Sequence, residues 1–135
     1  RESRVPIVCS HSSCRALCNH PRNLTDDQLR ALAEKGGVAQ ITFYNGFLVE
    51  GDAVAGIHDA VRHILHAVSV AGIDHVGIGT DFDGDGGVRG LESASSLIKL
   101  TEALQAEGID HEDLEKIWGG NFLRVMRQAQ AAAKE

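Results

Sequence analysis

The chain has 135 residues, 43% of them hydrophobic, enough for one core of ordinary size, so a single domain or a piece of a larger one is expected. A formal net charge of −6 and a pI near 5.6 leave no electrostatic footprint for nucleic acid or an anionic membrane surface. No run approaches the roughly 18 apolar residues that span a bilayer, RESRVPIVCS lacks the apolar stretch of a signal peptide, and Cys9, Cys14 and Cys18 describe no disulfide framework.

In chain order, residues 5–9 (VPIVC) read as a short buried strand. A helix over 24–35 follows, opened by a capping box of Thr25 and Gln28, turning Leu29 and Leu32 inward and ended by Gly36. Residues 38–43 (VAQITF) are the second strand. Asp52 is expected to cap the next helix, whose apolar face is Val54, Ile57, Val61, Ile64, Leu65 and Val68, with Gly72 as its stop. The third strand is 75–79 (HVGIG). A glycine-rich loop, a helix over about 93–107 and helical segments either side of Gly119 and Gly120 complete the chain. Apolar runs alternating with helical periods are the signature of an α/β fold with a parallel sheet, here of about three βα units.

Residues 81–92 (DFDGDGGVRGLE) match D-x-[DN]-x-[DN]-G-x5-E, the pattern of a calcium loop, through Asp81, Asp83, Asp85, Gly86 and Glu92. Such a loop is entered from a helix, however, and IDHVGIGT reads as a strand. Arg89 also takes the place of a water-bridging oxygen residue, and Gly84, Gly87 and Gly90 loosen the loop. A non-enzymatic calcium-binding module on 81–92 is the alternative function. For Asp83 and Asp85 an acidic turn is the plainer reading.

Chemistry in parallel α/β sheets collects where strands end at their carboxyl side. Those ends read Ser10-His11-Ser12, Tyr44-Asn45 and Thr80-Asp81. A histidine suited to transition metals and an aspartate suited to ligation or proton transfer thus converge on one rim. Cys9, His11, Cys14, Cys18 and His20 also have the composition of a zinc cluster, although buried thiols on a strand and helix are the plainer account. His58, His63 and His66 fall on the second helix, where solvated or capping roles are commoner than ligation.

SHSSCRALCNHPRN, ITFYNGF, GIGTDFDG and IWGGNFLRV occur in the order and spacing of the membrane (renal-type) dipeptidases, which the chain resembles over almost its whole length. These are zinc peptidases of family M19. The resemblance implies a TIM-type (β/α)8 barrel of the metal-dependent hydrolase kind, hydrolysing dipeptides with two zinc ions at the carboxyl rim. Residues 1–135 would be the carboxyl-terminal part of that single barrel domain. It further implies that His11 is a ligand of the second zinc, that Arg22 binds the dipeptide's free carboxylate, and that Asp81 is the catalytic aspartate. Phe47 stands where relatives often carry a substrate-contacting tyrosine, and so lacks its hydroxyl.

The chain has no His-x-Asp pair on an early strand and no bridging glutamate, and three βα units cannot close an eight-stranded barrel of about 250 residues. Most zinc ligands are therefore expected in an amino-terminal part of the same barrel, and this piece is expected to be inactive alone. A homodimer is left open. The cysteine usage favours a cytoplasmic setting, with a periplasmic or membrane-associated one left to whatever lies upstream.

Overall fold

A computed structural model describes residues 3–133. Its sheet has three parallel strands in the order β1 (Val8–Cys9), β2 (Val38–Ile41) and β3 (Val76–Ile78). Val8 lies opposite Val38, Ala39 opposite Val76, and Ile41 opposite Ile78. The central strand is buried at every position except Gln40, as expected of a largely apolar strand covered on both faces. Gln40 meets its polar need by donating from Nε2 to the Ile78 carbonyl at 2.7 Å.

Helix α1 (Asp26–Glu34) begins where the sequence indicates. Thr25 Oγ1 accepts from the Gln28 N–H at 3.2 Å, and Gln28 Oε1 accepts from the Thr25 N–H at 2.9 Å. Leu29 and Leu32 are buried. Helix α2 (Asn45–Leu48) is a single turn after β2, and α3 (Ile57–Ala71) is the long central helix. His66 of α3 meets Asp26 of α1 at 2.8 Å.

The start of α3 differs from the sequence expectation, because neither Asp52 nor Val54 belongs to it. Asn45 donates from Nδ2 to the Ala53 carbonyl at 2.9 Å and accepts from the Ala55 N–H at 2.7 Å, holding the preceding segment out of the helix. Gly56 is the extended cap residue, and Asp59 Oδ2 accepts its N–H at 2.9 Å. Val54 is left 68% exposed, while Ala60, Val61, Ile64 and Ala67 form the inner face.

Helices α4 (Leu97–Ala106), α5 (His111–Glu115) and α6 (Asn121–Ala132) follow, α5 passing into α6 through a π turn at Lys116–Gly120. The buried Asn121 side chain explains the join: Nδ2 donates to the Ile73 and Val76 carbonyls at 2.7 and 2.8 Å, tying the turn to the start of β3. α1 packs on α3 and α3 on α4. Phe43, Leu29, Ile41, Ile64, Leu100, Leu104 and Ile117 are fully buried in the resulting core. Burial of each such side chain contributes about 1.5–3 kcal/mol.

Candidate active site

The segment after β1 is irregular yet fixed. Its two ends pair where the Leu24 N–H donates to the Ser13 carbonyl and the Arg15 N–H to the Leu24 carbonyl, both at 2.8 Å. Asn23, only 1% exposed, accepts the Ser13 N–H at 3.0 Å and donates to the carbonyls of Cys18 and Phe47 at 3.0 and 2.8 Å. A second clamp comes from α3. The Cys14 N–H donates to His63 Nδ1 at 3.0 Å, so the neutral ring carries its proton on Nε2 and donates to the Leu48 carbonyl at 3.0 Å. Burial pushes the His63 pKa down to about 4. His63 is therefore a neutral structural bridge between backbone groups, closer to the capping role than to the solvated one that its place in the sequence allows.

On this frame the side chains of His11, His20, Arg22, Tyr44, Phe47, Asp81 and Asp85 line one cleft of about 270 Å³. Arg22 Nη2 donates to His11 Nε2 at 3.1 Å. Because a guanidinium cannot accept, Nε2 bears a lone pair, and the neutral imidazole donates from Nδ1 to Ser10 Oγ at 2.8 Å. Arg22 lies over the Phe47 ring, 5.5 Å from its centroid. Phe47 is buried, edge-on to Tyr44 at 4.9 Å and tilted against His20 at 4.4 Å. The residue without a hydroxyl is thus the aromatic floor beneath the arginine.

Asp81 reaches the cleft from β3. Gly79 makes this approach feasible, since any Cβ there would collide with the Ser10 carbonyl. Asp81 has φ of +62°, a left-handed conformation tolerated by Asp and Asn more readily than by most residues. Its carbonyl accepts the N–H groups of Gly84 and Gly86 at 3.0 and 2.8 Å, which curls the loop. The Gly87 N–H then donates to the Phe43 carbonyl at 3.1 Å, pinning the loop to the end of β2.

The same loop lends the calcium reading no support. It leaves a strand, and Glu92, which should close the cage, accepts instead from the Gly90 N–H at 2.8 Å. Backbone N–H groups hold its carboxyl below the usual range. The cysteines do not gather either: Cys14 Sγ donates to the His63 carbonyl and Cys18 Sγ to the Gly46 carbonyl. Burial, aided by Asp26, pushes the Cys14 thiol up to about 12. Among the described residues no three His, Cys, Asp or Glu side chains converge on a metal position. His11 by itself fits a zinc ligand, as a neutral imidazole whose Nε2 lone pair, here taken by Arg22, would be free once Arg22 turned to a substrate.

Comparison with known proteins decides the family. The sequence pattern of the membrane dipeptidase family (Peptidase family M19) matches residues 1–135. The chain belongs to this family. It is 40% identical over 134 residues to an uncharacterised dipeptidase of Schizosaccharomyces pombe, covering 97% of this chain and 32% of that protein. Its fold superposes with a TM-score of 0.90 on the crystal structure of the probable dipeptidase PvdM from Pseudomonas aeruginosa, at 29% identity over 96% of this chain and 46% of PvdM. A Rhodobacter sphaeroides metallopeptidase, solved with a phosphinate mimic of L-Ala-D-Ala, gives 0.87 at 33% identity, covering 93% of this chain and 37% of the other. The M19 chain thus has the α/β fold of the dipeptidase structures and spans about a third to a half of these relatives' length.

The expected trio His11, Arg22 and Asp81 falls in one cleft of this M19 chain, together with His20, Tyr44 and Asp85, which the sequence marked only as members of a thiol–histidine group, a strand end and an acidic loop. The HPRN segment did place His20 two residues from Arg22. Asn23 and His63 were beyond reach, because their bonds to Ser13, Phe47, Leu48 and Cys14 span 10 to 49 residues of chain.

Proposed function

We propose that this chain is the carboxyl-terminal part of a zinc-dependent dipeptidase of (β/α)8-barrel type, with most metal ligands supplied by amino-terminal strands of the same domain. The observation that carries the reading is the cleft itself, where a neutral imidazole, a guanidinium on an aromatic floor and a strand-end carboxylate meet.

His11 would hold metal through Nε2, the tautomer being selected by Ser10 at Nδ1. Zinc, when bound, supplies a Lewis acid for the scissile carbonyl and a water acidic enough to react near neutral pH. Arg22 binds the free carboxylate of the dipeptide through its planar fork, and Phe47 limits where that fork can swing. A substrate one residue longer carries its carboxylate elsewhere, so length selection follows from a fixed cation. Asp81 accepts the proton lost by the attacking water and returns it to the amine as the C–N bond breaks.

The test is hydrolysis by the full-length protein after chelation and zinc restoration. Zinc-restored cleavage of free dipeptides, with tripeptides and dipeptide amides spared, is expected. A zinc-loaded full-length protein that leaves free dipeptides intact would reject the reading.

A further inference from the structure

His20 shares an aromatic platform with Arg22. Its ring sits 4.4 Å from Phe47, tilted by 44°, while the Arg22 guanidinium carbon lies 5.5 Å from the centroid of the same Phe47 ring. The Arg22 N–H donates to His20 Nδ1 at 3.2 Å. A backbone amide cannot accept, so Nδ1 presents its lone pair and the neutral ring keeps its proton on Nε2. Among the described residues that Nε2–H has no hydrogen-bond partner, and His20 is a wall of the cleft that holds His11, Arg22 and Asp81. Phe47, in contact with both, has no polar atom to offer. A carboxylate has two oxygens and about four acceptor sites, more than one guanidinium fork fills.

We propose that His20 is a substrate-binding residue: its Nε2–H donates to the substrate carboxylate that Arg22 grips, with Phe47 setting the spacing of the two donors. The inference rests on the dipeptidase reading and deepens it. Two N–H donors on one group would select a carboxylate over a carboxamide, whose NH2 would oppose one of them.

The two ring nitrogens can be separated in the full-length, zinc-loaded protein. His20→Asn places an oxygen near Nδ1, keeping the acceptor for the Arg22 N–H but losing the distal donor. His20→Gln places an amide N–H near Nε2 and loses the proximal acceptor. His20→Asn should raise KM for a free dipeptide by about 10-fold with kcat within about twofold, and weaken the phosphinate mimic of L-Ala-D-Ala by a similar factor in calorimetry. His20→Gln should lose much less, and the weak inhibition of free-dipeptide cleavage by a dipeptide amide should be the same in His20→Asn as in the wild type. Equal losses in both variants would make His20 a support of the loop alone. An unchanged KM and Kd in His20→Asn, or a larger loss in Tyr44→Phe, would likewise overturn the proposal. Failure of the wild-type protein either to cleave dipeptides or to bind the phosphinate mimic would show, before any variant is made, that the dipeptidase reading itself has failed and this inference with it.

Discussion

Asp81 holds a left-handed backbone conformation that costs most non-glycine residues about 1–2 kcal/mol, and it does so at the mouth of the cleft. Asparagine tolerates that conformation as well as aspartate does, so Asp81→Asn removes basicity without disturbing the loop. In the full-length protein kcat should fall by about 10²-fold or more with zinc content unchanged, as single-turnover rates and metal analysis would show. Loss of zinc would instead make Asp81 a ligand. Asp83→Asn should cost less, because that residue is absent from the lining of the cleft. Arg22→Lys replaces a bidentate fork lying on Phe47 by a point charge and should raise KM for free dipeptides. An unchanged KM would remove Arg22 from substrate binding.

Between elements, the site depends on how closely β3 can pass the loop after β1. Gly79→Ala puts a methyl group into the Ser10 carbonyl, so the segments carrying His11 and Asp81 must move apart. Displacements of about 1 Å can cost about 10²-fold in rate, and kcat/KM should fall by that order while circular dichroism remains that of a folded protein. The bridge from α3 to the same loop titrates. His63 has a pKa of about 4 when folded against an ordinary value of 6.5, so between these values the unfolded chain binds the extra proton. Its contribution to stability is complete above pH 6.5 and is lost as pH falls toward 4, by about 3 kcal/mol at full extent. Denaturant titrations at pH 7.5 and 5 should show the decline. His63→Leu should flatten that part of the profile while lowering stability at pH 7.5, because the Cys14 N–H and Leu48 carbonyl are left buried without partners.

At the scale of the molecule, β1 and β3 each pair only with β2 among the described residues, leaving a sheet with two open edges. Ile7 is 51% exposed, and Phe122, Leu123 and Met126 of α6 are 39–41% exposed. Edges and apolar surface of this kind call for covering by further chain. The 135 residues expressed alone should therefore bind a hydrophobic dye, self-associate and show no dipeptidase activity with or without zinc. Zinc-dependent turnover by a monomer of this chain would contradict the proposed division of the metal site.

The order of strands and helices, the Thr25–Gln28 cap and the positions of His11 and Asp81 just past strand ends were legible in the sequence, because each rests on local periodicity or a capping pattern, whereas Arg22, in the loop after β1, was reached only through the HPRN motif of the resemblance. The start of α3 was not, since Asn45 overrides the helical signal at Asp52 from across a loop. Glu92 satisfied a calcium pattern by spacing, but its direction is set by a turn that gives it the Gly90 N–H. His63, Asn23 and the Phe47 platform likewise acquire their roles through contacts between separate segments. Sequence spacing carries which groups are available and in what order. Where a side chain points, and whether a histidine is clamp, ligand or donor, depends on which of its nitrogens finds a partner once the chain has packed.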